Sequence, residues 1–151
     1  MAKKVAEQLV DTLIEAGVRR IYAVTGDSLN EVNEAVRQNE AMKWIHVRHE
    51  ETGAYAAGAE AQLTGLPGCC AGSSGPGHRS GAPVIAIAST IPTGEFGTEY
   101  FQETNTVKLF NDCSFYNEVA TTPAQFPRML QSALQTATTR KGVAVVGLPG
   151  D

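Results

Sequence analysis

The chain has 151 residues, 42% hydrophobic and 19% charged, with a formal net charge of −4. That length holds one domain with a proper core and would cramp two; the composition is too apolar for a disordered chain, and the acidic balance gives no nucleic-acid footprint. Apolar runs reach only about five residues, against the roughly 20 of a membrane-spanning helix, and Met1-Ala2-Lys3-Lys4 leads into an amphipathic pattern rather than a signal core, so a cytoplasmic location is expected.

Val5, Ala6, Leu9, Val10, Leu13 and Ile14 recur at helical spacing, with Gly17 as a stop. Ile21 to Val24 reads as a strand ending in Thr25-Gly26-Asp27-Ser28. Ser28 and Glu31 have the spacing of a capping box, so a helix is expected to open there with Val32, Ala35 and Val36 inward. Trp44 to Val47 is a second strand, and a helix begins near His49-Glu50-Glu51. Its small residues from Ala54 to Ala61 let another backbone approach closely and suggest self-association.

Gly68 to Ala71 is a third strand, followed by Ser73-Ser74-Gly75-Pro76-Gly77. Val84 to Ala88 is a fourth, apolar throughout, as in a parallel sheet covered on both faces. Beyond a glycine-bearing stretch from Pro92 to Glu103 come a short helix over Thr106–Asn111 and a short strand over Phe115–Val119. Thr122 before Pro123 reads as a helix start, and Gly142 to Val146 as the last strand. Strands alternating with helices mean a doubly wound α/β fold with a mainly parallel six-stranded sheet, whose ligands sit at the carboxyl ends of the strands.

One connection is too short. About eight residues, Gly75 to Ala82, join the third and fourth strands, whereas a parallel crossover takes about a dozen or more, usually including a helix. Either these strands are not parallel neighbours, or a crossover helix is missing between Gly77 and His78; the second is the reading taken here.

Few residues invite chemistry. G-x-G-x-x-G, Walker A and G-x-S-x-G patterns are all absent. His46, His49 and His78 share no metal-ligand spacing, and Cys69, Cys70 and Cys113 form neither a zinc set nor a CxxC pair, so reduced, buried thiols are expected. Glu50 stands out. It opens a helix just after a strand, where the helix dipole favours its anion and apolar burial would disfavour it. Such a carboxyl can share a proton with a ring nitrogen.

Several pieces occur in one order: Val24-Thr25-Gly26-Asp27-Ser28-Leu29-Asn30, Arg48-His49-Glu50-Glu51, Ala56 to Ala61, Gly75-Pro76-Gly77, Ala82-Pro83-Val84, Tyr100-Phe101-Gln102-Glu103 and Leu148-Pro149-Gly150-Asp151. With them the whole chain resembles the N-terminal pyrimidine-binding domain of thiamine-diphosphate enzymes. Within that group it is most similar to bacterial pyruvate oxidase, also called pyruvate dehydrogenase (quinone). The resemblance implies that Glu50 hydrogen-bonds N1′ of the aminopyrimidine and promotes loss of the thiazolium C2 proton, after which pyruvate is decarboxylated oxidatively. It implies cofactor contacts at Thr25, Gly26, Ser74, Gly75 and Gly77, with Phe101 and Gln102 near the reacting centre.

The resemblance also marks two departures. A helix expected between the Gly-Pro-Gly turn and His78-Arg79 is absent, where the crossover is already too short. The Gly-Asp-Gly…Asn-Asn motif for magnesium and the diphosphate is absent too. Residues 1–151 are therefore expected to form the pyrimidine-binding domain alone, with the diphosphate- and flavin-binding (FAD) domains elsewhere and the isolated chain inactive. A homodimer or higher homo-oligomer is expected, with no nucleic-acid or membrane partner. The alternatives are a non-catalytic interaction or scaffold fragment, an acetolactate-synthase-like 2-keto acid enzyme domain, and a flavodoxin-like nucleotide binder, which lacks its phosphate loop here.

Overall fold

A computed structural model of the protein describes residues 3–72 and 82–151. In chain order the elements are α1 (Val5–Glu15), β1 (Arg20–Ala23), a 3-10 turn (Asp27–Leu29), α2 (Asn30–Arg37), β2 (Lys43–His46), α3 (Glu50–Thr64) and β3 (Gly68–Gly72). Then follow β4 (Val84–Thr90), a second 3-10 turn (Thr93–Glu95), α4 (Thr106–Phe110), β5 (Tyr116–Val119), α5 (Phe126–Arg140) and β6 (Val143–Pro149). The strands form one six-stranded sheet in the order β2-β1-β3-β4-β6-β5. Every pairing is parallel.

Side-chain alternation splits the core between the two faces of the sheet. On one face Ile21, Cys69, Ile85, Ile87, Ala144 and Val146 pack with Leu9 and Leu13 of α1, Val32 of α2, and Phe126 and Leu130 of α5. On the other, Cys70, Val84, Ala86, Ala88, Val143 and Val145 cluster with Ala57 and Ala61 of α3 and Phe110 of α4. The central strands β4 and β6 are thus buried on both sides, as their continuous apolar runs require.

Strands β3 and β4 are direct parallel neighbours, Gly68 opposite Val84 and Gly72 opposite Ala88. One of the two readings of the short crossover is thereby removed: the strands are adjacent, and only residues 73–83 join them. The expected helix position between Gly77 and His78 lies outside the described residues.

Two expected helix starts are corrected. Ser28 lies inside the 3-10 turn, and α2 opens at Asn30 after Leu29, with no side-chain cap. Glu31 cannot complete a capping box because the Lys4 ammonium, brought in by α1, donates to its carboxylate at 2.8 Å. The Ser28 carbonyl instead accepts from the Ser89 hydroxyl of β4 at 3.2 Å. Thr122-Pro123 does not start α5 either. The chain makes a tight turn there, Gln125 N–H to Thr122 O at 3.2 Å, and the helix opens at Phe126. The Gln125 side-chain oxygen folds back to accept from the Thr121 hydroxyl at 2.9 Å and its N–H at 3.2 Å. The thiols are free as expected, but only Cys69 and Cys70 are buried and Cys113 is partly accessible.

Candidate functional site

The site begins where β1 and β2 end side by side. The Val47 N–H donates to the Ala23 carbonyl at 3.0 Å, holding the two strand ends together. Beyond that point the chain leaves β1 towards the face carrying α2 and leaves β2 towards the face carrying α3. Two neighbouring connections that part to opposite faces open a crevice at the carboxyl edge, the place where open α/β sheets bind ligands.

Glu50 is the first residue of α3. His49 caps the helix, its Nδ1 accepting from the Glu51 N–H at 3.2 Å. The Glu50 side chain is half-buried, and its carboxylate makes no hydrogen bond or ion pair with another described residue. A carboxylate at a helix N-terminus is favoured by the dipole. Across the crevice, Thr25 and Gly26 are exposed. The space beside Gly26 is open, since a Cβ built there meets nothing within 4 Å.

The placement of α3 comes from close packing against the sheet. A Cβ on Gly53 would sit 3.0 Å from the Tyr22 carbonyl oxygen of β1, and one on Gly68 of β3 would collide with the Ala57 backbone. Gly53, Ala57 and Ala61 of α3 are therefore used against the chain's own sheet. These contacts account for the buried part of the small-residue pattern; Ala54 and Ala56 are half-buried and Ala59 is exposed.

The remaining expected residues fall into two groups. Ser74, Gly75 and Gly77 lie outside the described residues, as do His78 and Arg79. Phe101 and Gln102 are not packed into the crevice: Phe101 is 81% exposed and Gln102 is exposed. Gln102 has φ +65° and Glu99 φ +59°, left-handed backbone that costs a non-glycine residue about 1–3 kcal/mol. The Glu103 carboxylate steadies this loop by accepting from the Gly97 N–H at 2.7 Å.

A cavity of about 570 Å³ opens at the same carboxyl edge. Asp27, Ser28 and Glu31 line one wall and Thr122, Phe126 and Leu148 another, while Thr25, Gly26 and Glu50 take no part in it. It lies on the α1–α2–α5 side of the edge, away from Glu50. Among the described residues no cluster of three or more His, Cys, Asp or Glu side chains is placed to hold a metal ion. The buried cysteines are not poised as nucleophiles: burial pushes the Cys69 thiol well up and the Cys70 thiol to about 12.

The family model described as "Thiamine pyrophosphate enzyme, N-terminal TPP binding domain" matches residues 3–109. The chain belongs to this family. The chain is 51% identical, over 98% of its length, to an uncharacterized 42.6 kDa protein of Pseudomonas amyloderamosa, covering 40% of that protein. It is 40% identical over its full length to the putative thiamine pyrophosphate-containing protein YdaP of Bacillus subtilis, covering 29% of it. The pyruvate oxidase of Lactiplantibacillus plantarum is 35% identical over 89% of this chain, which covers 24% of that protein. Plant acetolactate synthases also match, at 29–30% identity over 99% of the chain. The chain thus spans 40% or less of the length of these relatives. The match to the Bacillus protein runs over 164 positions against 151 residues here, so within the matched stretch that relative carries residues this chain lacks.

The residues present fit the pyrimidine end of thiamine diphosphate. A carboxylate with no partner among the described residues stands at the start of α3, and the exposed Thr25-Gly26 turn at the same carboxyl edge has open space beside Gly26.

Proposed function

We propose that residues 1–151 are the pyrimidine-binding domain of a thiamine-diphosphate-dependent 2-keto acid enzyme of the pyruvate oxidase type, with Glu50 as its catalytic residue. The observation that carries this reading is the half-buried Glu50 carboxylate at the start of α3, at the carboxyl edge of the sheet, with no partner among the described residues. There the Glu50 carboxyl would share its proton with the ring nitrogen N1′ of a bound aminopyrimidine. Thr25 and Gly26 border the ring, and the half-burial of Glu50 limits competition from water. Thiamine diphosphate, when bound, supplies the electron sink for decarboxylating the keto acid. Ser74, Gly75 and Gly77 are assigned to the same ring, and Phe101 and Gln102 to the substrate side once a second element covers them.

Magnesium, the diphosphate and a flavin are assigned to parts of the enzyme outside residues 1–151, and a homodimer or higher homo-oligomer to the complete enzyme. We assign part of the additional length of the Bacillus relative to the crossover helix expected after Gly77. The free thiols fit a reducing, cytoplasmic setting. No described helix is long and apolar enough to cross a membrane.

The test uses an enzyme carrying this domain together with its remaining domains. Glu50→Gln should abolish thiamine C2-proton exchange and leave the fold intact by circular dichroism; exchange at the unsubstituted rate removes Glu50 from the role. A second reading is an acetolactate-synthase type, favoured by the match of those enzymes over 99% of the chain. Products separate the two: oxidative decarboxylation reduces an electron acceptor, whereas carbon–carbon condensation of two keto acids does not. A scaffold role predicts that Glu50→Gln changes neither exchange nor product.

A further inference from the structure

Glu50 reaches across β1 and ends against β3, far along the chain. At Gly72, the last residue of β3, a Cβ would stand 2.7 Å from Glu50 Cγ, closer than real side chains approach, and 3.4 Å from Glu50 Cβ, which is near ordinary contact. The clash is therefore with the Glu50 γ-methylene, Cδ being 4.0 Å away, and no α3 backbone atom is among the nearest contacts. The α3 backbone itself is held by other contacts, Gly53 on Tyr22 and Ala57 on Gly68. With α3 fixed at those points, the described group that a larger residue at 72 must move is the Glu50 side chain. No other described residue holds the carboxylate by a hydrogen bond or ion pair.

We infer that Gly72 is the positioning residue for Glu50: its missing side chain is the space that holds the Glu50 methylenes and so sets where the carboxylate stands. This rests on Glu50 being the catalytic carboxylate. Displacement by about 1 Å can cost on the order of 100-fold in rate, so Gly72 acts on the reaction without touching cofactor or substrate.

The test compares three variants of this chain, using thermal unfolding and NMR of the Glu50 carboxyl in glutamate-labelled protein, assigned by its loss in Glu50→Gln. Gly72→Ala should lower Tm by a few degrees, shift the Glu50 carboxyl resonance and alter its pH profile. Adding Glu50→Ala, which removes Cγ, should restore most of the lost Tm. Gly65→Ala is the control. Gly65 has φ +73°, and a Cβ there meets nothing within 4 Å, so this variant should lower Tm through backbone strain and leave the Glu50 resonance in place. A Gly72→Ala loss of Tm that persists in the Glu50→Ala background, or a Glu50 resonance and profile unchanged by Gly72→Ala, overturns the inference. Either result leaves the cofactor role of Glu50 standing. Conversely, a displaced Glu50 resonance in this chain together with unimpaired C2-proton exchange in the Glu50→Gln enzyme would keep the inference and remove that role.

Discussion

On the face of the sheet covered by α1, α2 and α5, the buried positions are large: Leu9, Leu13, Ile21, Val32, Phe126 and Leu130. On the other face the large residues Val84, Val143, Val145 and Phe110 belong to β4, β6 and α4, whereas under α3 the buried positions are small, with Gly53 against β1 and Ala57 against Gly68 of β3. Large side chains bury much apolar area each, and that is where most of the stability of such a fold comes from. Small ones bury little but bring backbones close, so position is fixed by contact with atoms that cannot move aside. The candidate carboxylate sits on the second face. The molecule separates what keeps it folded from what places Glu50.

Breaking the large-residue face should give the largest effect. Phe126→Ala empties a buried site and should cost about 3–5 kcal/mol in urea unfolding, with the amide shifts of Thr25, Gly26 and Glu50 unchanged wherever the variant is still folded. Gly68→Ala acts on the other face. Its methyl meets the Ala57 backbone, which cannot rotate away, so α3 must shift, at about 1–3 kcal/mol. Here the Glu50 resonances should move with the helix. Gly68→Ala destabilising as much as Phe126→Ala without moving Glu50 would erase the distinction between the faces.

A pH effect sharpens the comparison further. Burial raises the Cys69 and Cys70 thiols above their ordinary value of 9.0, Cys70 to about 12. The folded protein therefore holds these protons after the unfolded chain has lost them. Stability is complete below pH 9 and falls as pH rises from there towards about 12. Cys70→Ala should flatten part of that decline in denaturant midpoints taken across the range. The smallest effect belongs to Phe101, 81% exposed beyond both faces. Phe101→Ala should leave the stability of this chain within about 0.5 kcal/mol, read from the same midpoints.

Most of the architecture was legible because it rests on local periodicity. Leu9, Val10 and Leu13 mark α1, and the continuous run of β4 marks a strand buried on both faces. Glu50 was legible because a helix starting straight after a strand puts its first residues at the ligand edge. What failed depended on distant partners. Glu31 was lost as a cap because Lys4 takes its carboxylate, and α5 starts late because Gln125 turns back to Thr121. Gly72 carries no local signal at all, since its constraint comes from a glutamate on another element. The small residues of α3 were visible, but their pattern alone does not say which surface they meet.

Amide chemical shifts of this chain during titration with thiamine diphosphate test the central claim most directly. Calorimetry should show no binding tighter than millimolar, so the titration must reach that range. Thr25, Gly26, Glu50 and Gly72 should shift together and the response should vanish in Glu50→Gln. Shifts centred on Ser28, Thr122 and Phe126, around the 570 Å³ cavity, or a response unchanged in Glu50→Gln, would contradict it.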